Sequence, residues 1–341
     1  MNKSEEGEQS YMMDLFRVIA VMMVLSVHIN GYLNEHPHIV QLFFSLGAYG
    51  VSLFFLLSGF FTYSSIQKSS TIKEYLIKKA VRLLPLYYIS LVMTFILDVY
   101  IYKDLPVSWK WLYHVVFLNM FVPCKEWMWW NSVNFFWTMP CFVAWYIISP
   151  VIYRYVNSFW KMAFFVGIYS VIVPVIKEWM YGFTSTQFAN WNFFSLLYTF
   201  LLGVLAALAI SERKEIICAV YTVFLGIIGC IANNRSGFFL FGIGFLLLIL
   251  AVHMFGLKIR SKIGRKILRM LSISSYAIYL THYFLLKIFY NIFGNFSWAL
   301  SYILFIFSAL CVGIVIYNFV EKPITNALRH VIKMRAKGRN H

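Results

Sequence analysis

"RVIAVMMVLSVH", Arg17 to His28, is an apolar run closed at one end by a guanidinium and at the other by an imidazole. It lies in the first strongly hydrophobic stretch of the chain, so its reading decides whether the protein folds in water or in lipid. The rest of the sequence answers that question. Of 341 residues, 61% are hydrophobic, 20% aromatic and only 12% charged. A soluble domain needs more polar surface, whereas long apolar runs bordered by Trp and Tyr mark membrane spans. The net charge of +16 suggests nucleic acid at first sight. Lys and Arg instead cluster between apolar runs, the pattern of a multi-pass membrane protein, and no nucleic-acid partner is expected.

Ten segments are long enough to cross about 30 Å of hydrocarbon at about 1.5 Å per residue. They fall at roughly 12–33, 40–63, 83–104, 135–156, 160–178, 190–209, 216–232, 236–255, 270–293 and 297–319, by apolar length alone. An eleventh run, "WKWLYHVVFLNMF" at 109–121, is short and rich in Trp and Tyr. Basic clusters at 67–82, 211–215, 258–269 and in the tail "KPITNALRHVIKMRAKGRN" must share the cytoplasmic side. Ten spans achieve this and eleven do not, so 105–134 is read as an extracytoplasmic loop with an interfacial or re-entrant piece. The expected architecture is therefore all-α. A cytoplasmic segment 1–11 precedes one ten-span bundle over 12–319, and a basic cytoplasmic tail follows at 320–341, so both termini are cytoplasmic. The tail is expected to lie on anionic membrane lipid.

The N-terminal "MNKSEEGEQS" is acidic and no small-residue cleavage site follows the first run, so no cleaved signal is expected. The five cysteines show no CxxC and no histidine spacing, so neither a metal site nor a disulfide framework is expected.

Eleven residues make about three helical turns with about 20° of drift, so Arg17 and His28 line one face, roughly 16 Å apart along the axis. Asp14 sits one turn before Arg17. Ionisable groups in spans face the bundle interior or a wet cavity. Each also has a plainer explanation, Arg17 as a snorkelling side chain and His28 as an interfacial one. The pair alone leaves the choice open.

Six stretches in chain order resemble the membrane acyltransferase-3 family. Arg17-x10-His28 resembles its first-span signature, and "GVSLFFLLSGFF" (Gly50–Phe61) its second span. "KKAVRLLPLYY" (Lys78–Tyr88) resembles the Arg-x-x-Arg…Pro-x-Tyr start of its third span. "FWTMPCFVAWYIISP" (Phe136–Pro150), "ISSYAIYLTHYF" (Ile273–Phe284) and "VEKP" (Val320–Pro323) resemble its later landmarks. Two departures stand out. The Arg-x-x-Arg position holds Lys79 and Arg82, which loses one bidentate fork. Many members carry a glutamate where Phe142 stands, so no role resting on that residue carries over.

The resemblance implies transfer of an acyl group, usually acetyl, from cytoplasmic acyl-CoA to a hydroxyl of an extracytoplasmic or lipid-linked glycan. Acetyl-CoA enters as donor substrate, with no metal, and the expected location is a bacterial plasma membrane. On that reading Arg17, Lys79 and Arg82 hold the donor's phosphates, since cationic side chains at the cytoplasmic mouth suit them. His28, whose reference pKa of about 6.5 lies nearest neutrality, deprotonates the acceptor. Asp14 is expected to orient Arg17. His282 is a second polar group in the cavity, and Glu321 pairs with an arginine or with Lys322. Ser58 is a supporting candidate, although it lacks the Gly-x-Ser-x-Gly elbow of a nucleophile, and helix packing beside Gly59 explains it better. Trp137, Trp145 and Tyr146 are read as packing, and His36 and His38 as ordinary loop residues. The competing reading is a transporter or flippase for a lipid-linked sugar or small solute, which ionisable residues and in-span prolines also fit. That reading gives no reason for the ordered motifs.

Overall fold

The computed structural model describes residues 3–33, 35–103, 109–119, 135–184, 186–231, 236–293 and 296–337, of which the side chains are described from residue 11 onward with a few exceptions. Every regular element among them is helical. Helix α1 runs Lys3–Asn30, α2 His38–Ser45, α3 Gly50–Gln67, α4 Ile72–Leu97, α5 Leu112–Val115, α6 Thr138–Tyr155 and α7 Phe159–Tyr181. They are followed by α8 Thr186–Trp191, α9 Phe193–Ser211, α10 Glu215–Ile231, α11 Gly237–Met254, α12 Lys262–Phe293, α13 Trp298–Ile316 and α14 Lys322–Lys337.

Eight segments are long and apolar enough to span a membrane, at Tyr11–Asn30, His38–Gln67, Ile72–Ile101, Phe135–Tyr155, Phe159–Tyr181, Phe188–Ser211, Gly237–Met254 and Trp298–Ile332. The other two expected spans are helical too. Helix α10 has 17 residues, and α12 has 32, its first turns carrying the basic residues of "KIGRKILR". The helices α1, α4 and α12 begin well before the expected starts at 12, 83 and 270. Lys79 and Arg82 are helical, as expected at the inner end of that span, and Arg269 is helical too. The early start of α4 has a local cause in "STIKE". Thr71 Oγ accepts from the Glu74 amide (3.1 Å), and Glu74 reaches back to the Ser70 amide (2.8 Å) and hydroxyl (2.6 Å), which satisfies donors of the first turn. Of the expected loop 105–134, residues 109–115 form a short helical piece followed by a turn to 119, and most of the aromatic stretch "CKEWMWWNSVNFFW" lies outside the described residues.

The helices group into two compact units. The first comprises Met1–Met13, Val51–Tyr75 and Pro106–Ile259, and the second Asp14–Gly50, Leu76–Leu105 and Arg260–His341.

In the first unit α9 is the central helix, apolar on every side and buried along nearly its whole length, as such a helix must be. Asn192 caps it by accepting from the Phe194 and Ser195 amides (3.0 and 2.9 Å). Two glycines let α3 approach it: a Cβ at Gly59 would strike the Phe200 carbonyl, and one at Gly203 the Leu56 carbonyl. Phe55, Phe142 and the buried Trp145 pack edge to face nearby. Two of the polar aromatic groups here find backbone acceptors. Trp145 Nε1 donates to the Phe193 carbonyl (2.9 Å) and Tyr169 to that of Phe194 (2.5 Å).

In the second unit α1 packs against the turn before α3, where Gly50 brings its backbone against the Ala20 carbonyl and Gly47 against that of Met23. Helix α13 lies on α12 through Gly313 and Ile278, and α1 is tied to α13 by the Tyr302 hydroxyl on Ser26 (2.9 Å). Asp14 contacts Arg269 and Ser272, while His28 contacts His282 and Tyr283. Helices α1 and α12 therefore run parallel.

Gly59→Val should separate α3 from α9 and destabilise the protein by about 1–3 kcal/mol, whereas Gly244→Ala, which meets nothing within 4 Å, should be neutral. Unfolding midpoints of the two variants in detergent make the test. Equal midpoints would show that the α3–α9 distance is not set by these glycines.

A polar candidate site within the second unit

Seven of the eight sequence-derived candidates, Asp14, Arg17, His28, Lys79, Arg82, His282 and Glu321, fall in the second unit. Ser58 falls in the first, on α3 beside the helix-packing Gly59.

At one end of α1 the carboxylate of Asp14 is almost fully buried, its side chain 1% exposed. Its closest partners come from α12. Ser272 Oγ donates to Oδ1 at 2.6 Å, and Arg269 Nη1 sits 3.1 Å from Oδ1 and 2.9 Å from Oδ2. Arg17 Nη1 lies farther away, 3.4 Å from Oδ1 and 3.5 Å from Ser272 Oγ. Asp14 does touch Arg17, as expected, but its main charge partner is Arg269. From α4, the half-buried Lys79 lies within electrostatic reach of both Arg82 and Arg17. Arg82 in turn is the charge acting on the buried Glu321, at the end of the π-turn Tyr317–Glu321. Tyr276 fastens α12 to α4 by donating to the Leu83 carbonyl (2.7 Å), and its ring lies near Glu321, Tyr87 and Arg82. Four cations, Arg17, Lys79, Arg82 and Arg269, thus gather with two carboxylates, Asp14 and Glu321. Such a surplus of positive charge in a partly desolvated place attracts an anion.

At the other end of the shared α1 face the half-buried His28 ring stands 4.9 Å from that of His282 and edge-on to Tyr283 at 5.9 Å. His282 is fully buried. A carbonyl can only accept, so His282 Nδ1–H donates to Tyr279 O (2.5 Å), which leaves Nε2 as the lone-pair nitrogen. Between the two ends, α12 carries Arg269, Ser272, Tyr276, Tyr279 and Tyr283, spaced three, four, three and four apart along one helical face.

Sequence reading missed Arg269 and Ser272. The signal was there, a polar heptad-like stripe in an otherwise apolar helix. Nothing in α12 alone indicates that the stripe meets Asp14. His36 does lie in a loop, as expected. It folds back so that Nε2 donates to Asn30 Oδ1 (2.9 Å), and its ring lies against Phe44 and Trp298.

Helices of spanning length and ionisable side chains gathered on their inward faces define a polytopic membrane protein with a polar site among its helices. The acyltransferase-3 family, described as an acyltransferase domain, matches residues 11–318, and the chain belongs to it. The match takes in every second-unit candidate except Glu321, three residues beyond its end. The chain is also 30% identical over 111 residues to a protein of Acidianus two-tailed virus named "Putative acetyltransferase ORF330". That stretch covers 33% of this chain and 32% of the viral protein, so the chain matches about a third of that relative's length. No solved structure matches the chain.

Tyr276→Phe removes the hydroxyl that joins α12 to α4 and is expected to cost about 1 kcal/mol of stability. Denaturant unfolding in mixed micelles reads the change, and a variant as stable as wild type would show that this bond does not hold the two helices together.

Proposed function

We propose that the protein moves an acyl group, acetyl in the simplest case, from acyl-CoA on the cytoplasmic side to a hydroxyl of an extracytoplasmic or lipid-linked glycan. The observation that carries the reading is the placement of Arg17 and His28 on one face of α1. A cation cluster lies at the Arg17 end and a second histidine at the His28 end. Family membership supplies the acyl transfer, and the arrangement supports a donor held at one end and an acceptor activated at the other.

In this reading Arg17, Lys79 and Arg82 receive the phosphates of CoA. Guanidinium groups do so through paired N–H donors and Lys79 as a point charge. The thioester then reaches towards His28. His28 takes the proton of the acceptor hydroxyl, the oxygen attacks the thioester carbonyl, and the collapsing intermediate expels CoA thiolate. The proton held on His28 then returns to the thiolate or to solvent, which balances the transfer. An acyl-histidine relay is the less favoured variant. His282 supports His28 through ring contact, Asp14 sets the cation cluster, and Glu321 balances Arg82.

Membrane sidedness follows the basic clusters, with both termini cytoplasmic. The parallel course of α1 and α12 supports the ten-span count. A parallel pair needs an odd number of crossings between its members. The α2–α3 segment with α4, α6, α7, α9, α10 and α11 gives seven. A crossing by 109–121 would make eight and turn α12 antiparallel to α1.

Purified protein in lipid, supplied with labelled acetyl-CoA and an envelope glycan extract, should release CoA and label the glycan. His28→Ala should reduce transfer by about a hundredfold to ten-thousandfold while CoA still binds. Full activity in His28→Ala would remove the base assignment. Movement of a lipid-linked sugar across vesicles, with no turnover of any acyl-CoA, would favour the transporter instead.

A further inference from the structure

We propose that Glu321 recognises the pantetheine arm of the acyl donor, its Oε2 accepting a hydrogen bond from the hydroxyl or amide N–H beside the pyrophosphate. The inference rests on the donor reading above and adds to it a contact with an uncharged part of acyl-CoA.

The second unit holds two buried carboxylates, and they are met differently. Both oxygens of Asp14 are bonded, Oδ1 by Ser272 and Arg269 and Oδ2 by Arg269. Glu321 is 7% exposed, yet its Oε2 is buried with no hydrogen-bond partner among the described residues. Arg82 acts on this carboxylate from α4 as a charge rather than as a hydrogen-bond donor. The phenol of Tyr276 lies near it too. A phenol has one proton, and Tyr276 gives it to the Leu83 carbonyl (2.7 Å). A buried acceptor left unmet costs more than an ordinary hydrogen bond gains, so a ligand that supplies the missing donor is bound the more tightly for it.

The backbone and the neighbours point to the same ligand. Glu321 ends the π-helical turn Tyr317–Glu321 that joins α13 to α14, and such single turns within α-helices are frequent at functional sites. The exposed guanidinium of Arg82 suits a phosphate. Glu321, within electrostatic reach of Arg82, then calls for an O–H or N–H close to that phosphate. The pantetheine arm leaves the pyrophosphate with a hydroxyl and then an amide N–H only a few bonds away. The adenine amine is the other N–H of the donor, and position decides against it. Tyr276 stands one turn beyond Ser272 on α12, in the direction of His282. A carboxylate beside Tyr276 therefore borders the course from the cation cluster to His28, which the arm has to follow to bring its thioester there.

The test compares wild type in lipid nanodiscs with Glu321→Met, which keeps the length of the side chain and removes the acceptor. Calorimetry measures the affinity for CoA and for adenosine 3′,5′-bisphosphate, which carries adenine and phosphates but no pantetheine arm. In Glu321→Met the ratio of CoA affinity to bisphosphate affinity should fall about tenfold to a hundredfold, the loss of one hydrogen bond to a charged group. The bisphosphate itself should bind at least as tightly as to wild type, because a negative charge within reach of Arg82 has gone. An unchanged ratio overturns the proposal, whether both affinities hold or both fall together. In the second case Glu321 acts by setting the cations and touches no part of the arm. Glu321→Gln keeps an acceptor oxygen without its charge and should lower the ratio less, by about threefold to tenfold. Should Glu321→Met not purify, the Gln variant decides: a fall in that range supports the proposal, and an unchanged ratio overturns it. Wild type that binds both ligands, with the ratio unmoved by either substitution, leaves the donor reading standing without this contact. Wild type that binds neither removes the donor reading and this inference together.

Discussion

A buried carboxylate in a membrane protein has no water to fall back on, and Asp14 shows how far that requirement reaches. Its charge is answered by a guanidinium and a hydroxyl from α12, more than 250 residues away in the chain, because unpaired charge in a low-dielectric interior is too costly to keep. Answering it brings α1 alongside α12 in parallel register. That register sets His28 against His282 at the other end of the same two helices. Tyr276, one turn beyond Ser272, adds α4 to the pair through the Leu83 carbonyl and so places Lys79 and Arg82 beside Arg17. In the first unit neutral groups do the same at particular positions. The Trp145 indole and the Tyr169 phenol donate to backbone carbonyls, and the hydroxyls of Ser149, Ser170 and Thr222 bond back to their own helices.

The second unit consequently holds two different environments on one helical face. One end concentrates positive charge around two buried carboxylates, Asp14 and Glu321. The other holds two imidazoles and tyrosine rings, with little charge of its own. An enzyme that must hold a polyanionic donor and also take a proton from an alcohol benefits from that separation. A cation cluster beside the base would keep the imidazole from accepting a proton. The roughly 16 Å between Arg17 and His28 is a separation that an extended donor could bridge.

Much of this was legible in the sequence. The membrane class followed from composition, the helices from apolar length, and Arg17 and His28 from their spacing, because each is a one-dimensional property of a helix with about 3.6 residues per turn. The helix-packing role of Gly59 was also readable, since small residues in an apolar run favour close approach. Lys79 and Arg82 were found, but as residues at the edge of a span. The capping contacts of Ser70, Thr71 and Glu74 start α4 earlier and carry both into the helix.

The sequence by itself determined which side chains could do chemistry and along which face of α1 they lie. Only the tertiary structure decided their partners. The choice of Arg269 over Arg17 as counter-ion of Asp14 depends on tenths of an ångström between helices remote in the chain. The choice of His282 as neighbour of His28 depends on the parallel register of α1 and α12. Helical periodicity is local and can be counted along the chain. The pairing of buried charges is not local, because it is settled by which helices pack together once water has been excluded.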